Sequence, residues 1–341
     1  MNLTESDTHA LAKIPLPAWA NVLSLDAVFV AVAWQQLLMR VFCDRSSRWS
    51  EGVALSLTVW LIYVADRLLD GSKLRMDKPH TLRHRFYRRH RQIFLSLWIL
   101  GLVVNTLLVV HFLPIELLRN GVLLASAVLL YGASVHLTSQ RSPPAAPHCE
   151  ALTGDSWRWR IGVPKEVRVG VLFAVGVSLT TWTQVFSDRQ RLSDGVVALE
   201  TTLGPLLVTT CALALIFSWN CILVARFERE YDRAQSFASI ATRSGWINFA
   251  LTRYSCHTGA AGALVALALL LLWLIRLPPP IELASLASAV GLMVSLVLPG
   301  GCAPRSASTV VPRAAPIMFD IRGAWVDAVL WTPPLVLLCC M

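Results

Sequence analysis

Nine runs of about twenty mostly apolar residues divide this chain, and a run of that length is what an α-helix needs to cross a bilayer. They lie near 17–41, 51–70, 92–113, 116–138, 165–187, 197–227, 249–276, 281–299 and 323–341. With 55% hydrophobic and only 15% charged residues among 341, the chain cannot cover such runs with a polar surface of its own. The pattern therefore predicts an all-α polytopic membrane protein, nine transmembrane helices bundled around a central cavity. It reads as a single domain over 1–341, with two related halves, roughly 17–138 and 165–299, plus helix nine at 323–341. Pro278-Pro279-Pro280 predicts a hinge between helices seven and eight.

The net charge of +9 is placed as a topology signal and does not form a nucleic-acid surface. Of the 30 lysines and arginines, 21 fall in or beside the loops after helices two, four, six and eight. Only 7 flank the alternate loops. The basic set predicts an N-terminus and even-numbered loops on the cytoplasmic side, and a C-terminus on the opposite side. The expected location is a bacterial cytoplasmic membrane, with the lipid bilayer as a partner and no nucleic acid. Met1–Lys13 is polar and mixed in charge, unlike a cleavable signal. The eight cysteines include no CxxC spacing and read as inert membrane thiols.

Against this background two acidic pairs stand out, Asp66 with Asp70 and Glu228 with Asp232. Each is spaced i,i+4, which puts both carboxylates on one helix face. Each ends an apolar run on the basic side of the membrane. Carboxylates beside hydrocarbon need a partner or a wet cavity, and hard cations such as Mg²⁺ take oxygen ligands and bridge carboxylates to phosphates. Two facing pairs would make a diphosphate-binding mouth, with Asp66, Asp70, Glu228 and Asp232 as metal ligands. Bases cluster beside them: Lys73 and Arg75 after the first pair, Arg233 after the second, and Arg158, Arg160 and Lys165 before helix five. These are candidate phosphate contacts. The basic residues from Arg83 to Arg91 read instead as a headgroup anchor.

The segment Asp66-Arg67-Leu68-Leu69-Asp70-Gly71 resembles the first aspartate motif of the UbiA superfamily of intramembrane prenyltransferases, whose pattern is NDxxDxxxD. Asn220 to Asp232 resembles its second motif, with Glu228 and Asp232 eight and twelve positions after Asn220. Arg158 and Arg160 with Pro164 and Gly170 are similar to the basic segment before the fifth helix. The leading Asn and Asp of the first motif are replaced by Ile62 and Tyr63. The resemblance spans roughly helices two to nine. It implies a Mg²⁺-dependent enzyme that ionises an isoprenyl or polyprenyl diphosphate within the membrane and transfers the prenyl group to a hydrophobic acceptor, aromatic or lipid-like. The alternative is a UbiA-type terpene synthase that cyclises the diphosphate without an acceptor. A transporter and an inactive homologue are lesser alternatives.

Two acids lie inside apolar runs, Asp26 in the first and Asp327 in the last. Buried acids in a membrane call for a function or for a hydrogen-bonded packing role. Both are candidates to face the cavity. Tyr63, within one turn of Asp66, joins the candidate catalytic set. Trp34, Trp60, Trp182 and Trp219 read individually as lipid-facing or interfacial aromatics, with lining an isoprenoid tunnel as the alternative.

Overall fold

A computed structural model describes residues 16–75, 78, 81–138, 163–191, 196–235, 237, 277–297 and 321–340. Twelve helices follow in chain order: α1 Leu16–Val22, α2 Asp26–Cys43, α3 Trp49–Lys73, α4 Leu82–Arg89, α5 Arg91–Phe112, α6 Ile115–Thr138, α7 Lys165–Arg191, α8 Val196–Phe227, α9 Arg229–Gln235, α10 Pro279–Val297, α11 Ile321–Val329 and α12 Thr332–Cys340. No strand occurs among the described residues.

Six helices are long and apolar enough to cross a membrane: α2, α3, α5, α6, α7 and α8. They match the first six apolar runs, and the protein is of the helical membrane type. The expected count of nine is not reached among the described residues. The seventh run, 249–276, lies outside them. The eighth forms α10, whose apolar stretch is shorter. It starts at Pro279, where a missing N–H is no loss to the helix.

The first and last runs fold differently from a single span. The first breaks after α1, with Ser24 in the left-handed region at φ 59°, and α2 begins at Asp26. The last breaks at Leu330–Trp331 into α11 and α12; Pro333 and Pro334 occupy the first turn of α12, where proline is tolerated but cannot continue a helix from before. The end of α2 is set by Asp44 at φ 49°, whose N–H bonds Met39 O. At the start of α3, Glu51 accepts from Arg48 N at 2.8 Å and from the Arg45 guanidinium at 3.2 Å.

The α7–α8 pair is the most extensively packed, and α2 joins it. Trp34, Leu37, Leu38, Val177, Leu213 and Phe217 form the core between these helices. Polar side chains tie neighbours across it: Gln35 Nε2 to Thr180 Oγ1 at 2.9 Å and Trp182 Nε1 to Thr210 Oγ1 at 3.0 Å. Such bonds average roughly 0.6 kcal/mol in membranes. Trp34 is fully buried, donates to Leu330 O at 3.1 Å and meets Phe217 edge-on. The lipid-facing expectation for Trp34 is thus replaced by a core role. By contrast only 6% of the apolar window of α5, and of α6, is buried, which leaves those helices an outward apolar face for hydrocarbon.

Candidate functional site

The acidic pairs come together through α4. Its consecutive residues Arg83 and His84 reach opposite pairs. Arg83 Nη2 donates to Glu228 Oε2, and His84 Nε2 lies 4.0 Å from Asp70 Oδ2. Adjacent Cα atoms are only about 3.8 Å apart, so the end of α3 and the α8–α9 junction are held at one place. Tyr87, on the same short helix, anchors it from below. It is fully buried, packs on Phe94 and lies 3.3 Å from Ser24 Oγ. Burial pushes its phenol above the usual tyrosine value, and the Ser24 hydrogen bond opposes that. Thr81 Oγ1 stands 2.6 Å from His84 Nδ1 and fixes the imidazole.

Around this point the charges alternate. Arg67 is within electrostatic reach of Asp66, Asp70 and Glu228. Lys165, the first residue of α7, and Asp232 are within reach of Asp70. The Asp66 side chain is half exposed and 3.8 Å from Arg67 Nη1, while that of Asp70 is 27% exposed. Asp232 is half-buried, and its N–H bonds Glu228 O at 2.9 Å, continuing the helix across the α8–α9 turn. Gln235 at the end of α9 brackets the segment after α3: its Oε1 accepts from Arg75 N and its Nε2 donates to Arg75 O, both at 2.9 Å. The Arg88 guanidinium donates to Leu74 O on the other side. Both acidic helices are therefore stitched to the same segment.

Lys73, Arg75 and Arg233 are exposed at this end. Arg158 and Arg160 lie outside the described residues. The expectation that Arg83 belongs to a headgroup anchor is corrected: its side chain is 9% exposed and it faces an acid. Among the described residues, no three His, Cys, Asp or Glu groups stand together as a ready-made metal site. The donor chemistry nonetheless fits a hard cation. All four candidate ligands are carboxylates, with the Arg83 guanidinium on Glu228 and the His84 imidazole 4.0 Å from Asp70.

Asp26, Asp327, Asn220 and Tyr63 belong to a second, deeper centre. Asn21 Nδ2 donates to Asp26 Oδ2 at 2.6 Å and to Asp327 Oδ2 at 3.1 Å. Asn220 Nδ2 donates to Asp327 Oδ1 at 3.0 Å. Tyr63 packs on the α2–α8 core within electrostatic reach of both acids and of Arg67. Sequence reasoning missed Arg83, His84, Gln235 and Asn21. For Asn21 a signal existed, an amide five residues from a buried acid. For Arg83 none did, since Arg85, Arg88 and Arg89 have the same composition around them.

No family model, curated protein or solved structure matches this chain. Fold and site together define a helical membrane-type protein that gathers two acidic pairs and several cations at one end of its helices.

Proposed function

We propose that this protein is a Mg²⁺-dependent prenyltransferase of the UbiA type, acting on a prenyl diphosphate and a hydrophobic acceptor. The observation that carries the reading is the meeting of the two acidic pairs at α4, through Arg83 on Glu228 and His84 on Asp70. A diphosphate is the polyanion that such a mixture of acids and bases suits. Asp66, Asp70, Glu228 and Asp232 would hold the metal, which when bound neutralises charge on the leaving diphosphate. Arg83, once exchanged off Glu228, supplies a directional guanidinium to a phosphate oxygen, and Lys165, Lys73 and Arg75 supply further charge. Tyr63 and the apolar faces of α2, α3 and α8 orient the prenyl chain and exclude water. In the reaction the C1–oxygen bond breaks with its electron pair on the pyrophosphate. The acceptor bonds to C1 and releases a proton. The basic flanks of this end support a cytoplasmic mouth.

The test is to incubate purified protein with Mg²⁺ and prenyl diphosphates of graded length, and to measure pyrophosphate and lipid products with and without a membrane lipid extract. The wild type is expected to release pyrophosphate only with Mg²⁺. Asp66→Asn and Asp232→Asn, which remove a ligand without opening a void, should each lose at least a hundredfold in rate. Near-normal turnover by both variants, or no Mg²⁺-dependent release by the wild type, refutes the reading.

A further inference from the structure

The two broken helices meet at the deeper polar centre. The break between α1 and α2 puts Asp26 at the first position of α2, and the break between α11 and α12 follows Asp327 within one turn. Irregular backbone at membrane depth is tolerated where protein buries it or where it lines a polar cavity. Asn220, projecting from α8, closes the third side. It precedes Glu228 by eight residues, about 12 Å of helix, so this centre is separate from the acidic mouth.

The donors and acceptors here do not balance. Asp26 receives Asn21 Nδ2 and, at 2.9 Å, the Ala27 N–H. Asp327 receives Asn21 Nδ2 and Asn220 Nδ2. Among the described residues no lysine or arginine forms an ion pair with either acid. The two carboxyls are hydrogen-bonded to one another, and their remaining donors are amides. Moreover, Asn220 is 8% exposed, and its Oδ1 is buried with no hydrogen-bond partner. That oxygen belongs to the same amide whose nitrogen binds Asp327. Asp26 is equally buried, while Asp327 is half-buried.

We propose that Asp26, Asp327 and the Asn220 carbonyl form a receptor for the hydrogen-bond-donating head of a lipophilic molecule, a hydroxyl or a primary ammonium. Three convergent acceptors suit a group that brings O–H or N–H hydrogens and no competing carbonyl. Val30, Trp34 and Phe217 beside the centre are packed into the core, so an apolar body would lie along the half-buried Asp327 side. Naming that molecule as the acceptor rests on the prenyl-transfer reading; the receptor itself does not.

The test uses full-length protein in detergent, without Mg²⁺ or diphosphate, and four probes at equal micellar mole fraction: 1-decanol, decylammonium, decyl methyl ether and decane. Thermal unfolding is followed by intrinsic fluorescence. Decanol, decylammonium or both should raise the midpoint by several degrees above decane, and the ether should not. A response to decanol alone assigns a hydroxyl head, and to decylammonium alone an ammonium head. In Asn220→Leu and Asp327→Asn the probe-dependent rise should fall by at least half. Equal midpoints for decanol, decylammonium, ether and decane in the wild type overturn the proposal, and that comparison needs no variant. So does an undiminished rise in folded Asn220→Leu. Since no probe carries a diphosphate, failure of prenyl turnover leaves this result standing, and the reverse also holds.

Discussion

Replacing Arg83 by Gln should destabilise the protein far more than replacing Arg85, Arg88 or Arg89. The Arg83 and Glu228 side chains are 9% and 19% exposed, so solvent screens their pairing only partly. Removing one member of a buried pair strands the other's charge and costs roughly 3–5 kcal/mol in fully buried cases. The residual exposure of Glu228 brings the expected cost of Arg83→Gln, or of Glu228→Gln, to about 2–3 kcal/mol. The double variant strands no charge and should cost no more than either single one. The coupling energy is then about 2 kcal/mol or more. Equilibrium unfolding in mixed micelles, followed by Trp fluorescence for the wild type, both single variants and the double variant, measures it. Additivity of the two single effects within about 0.5 kcal/mol would refute the pairing, and with it the argument that α4 draws the two acidic pairs together.

Gly170→Ala tests a close helix crossing: a Cβ there would lie 2.3 Å from Ser218 N and 2.5 Å from Ser218 Cα, on backbone that cannot rotate away. It should cost about 1–3 kcal/mol as overpacking. Gly121→Ala, which meets nothing within 4 Å, should be neutral or stabilising in the same melt. Tyr87 carries a pH signature: burial raises its folded pKa, so its contribution is complete below the unfolded value of about 10 and is lost as pH rises through the higher folded value. In Tyr87→Phe that alkaline limb should flatten; an unchanged slope from pH 9 upward would exclude the phenol as its source.

What could be read from the sequence was what hydrocarbon dictates. Six apolar runs became six long helices because an unpaired backbone in lipid has little choice but to satisfy itself internally. The i,i+4 spacing of the acids was equally legible, since it depends only on helical period. The breaks were harder. Asn21, Ser24 and Asp26 dot the first run, but none of them excludes a helix, so the positive φ at Ser24 left no clear mark. In the last run Pro333-Pro334 marked the interruption, but the surrounding hydrophobicity masked it. Pairings between distant segments, such as Asn21 with Asp327 or Arg83 with Glu228, left no trace in one sequence. They are decided by tertiary placement alone.

The two polar centres differ in how their acids are compensated, and that difference separates their chemistry. At the mouth, Arg67, Arg83 and Lys165 stand near Asp66, Asp70 and Glu228, and the His84 imidazole lies beside Asp70. On the prenyl-transfer reading these pairings would be exchanged for an incoming cation and polyanion, leaving no charge stranded. In the interior, Asp26 and Asp327 bind each other and amide donors, and one buried carbonyl has no donor. No lysine or arginine among the described residues forms an ion pair with them; the missing partner is a hydrogen-bond donor to Asn220 Oδ1, which a hydroxyl or an ammonium would supply. Tyr63 stands within electrostatic reach of both, one turn from Asp66 and beside the interior acids. A molecule spanning the two centres would have to present a polyanion at one end and a donor about 12 Å away. Two molecules meeting between them, each with one polar end and an apolar body, satisfy both demands at once.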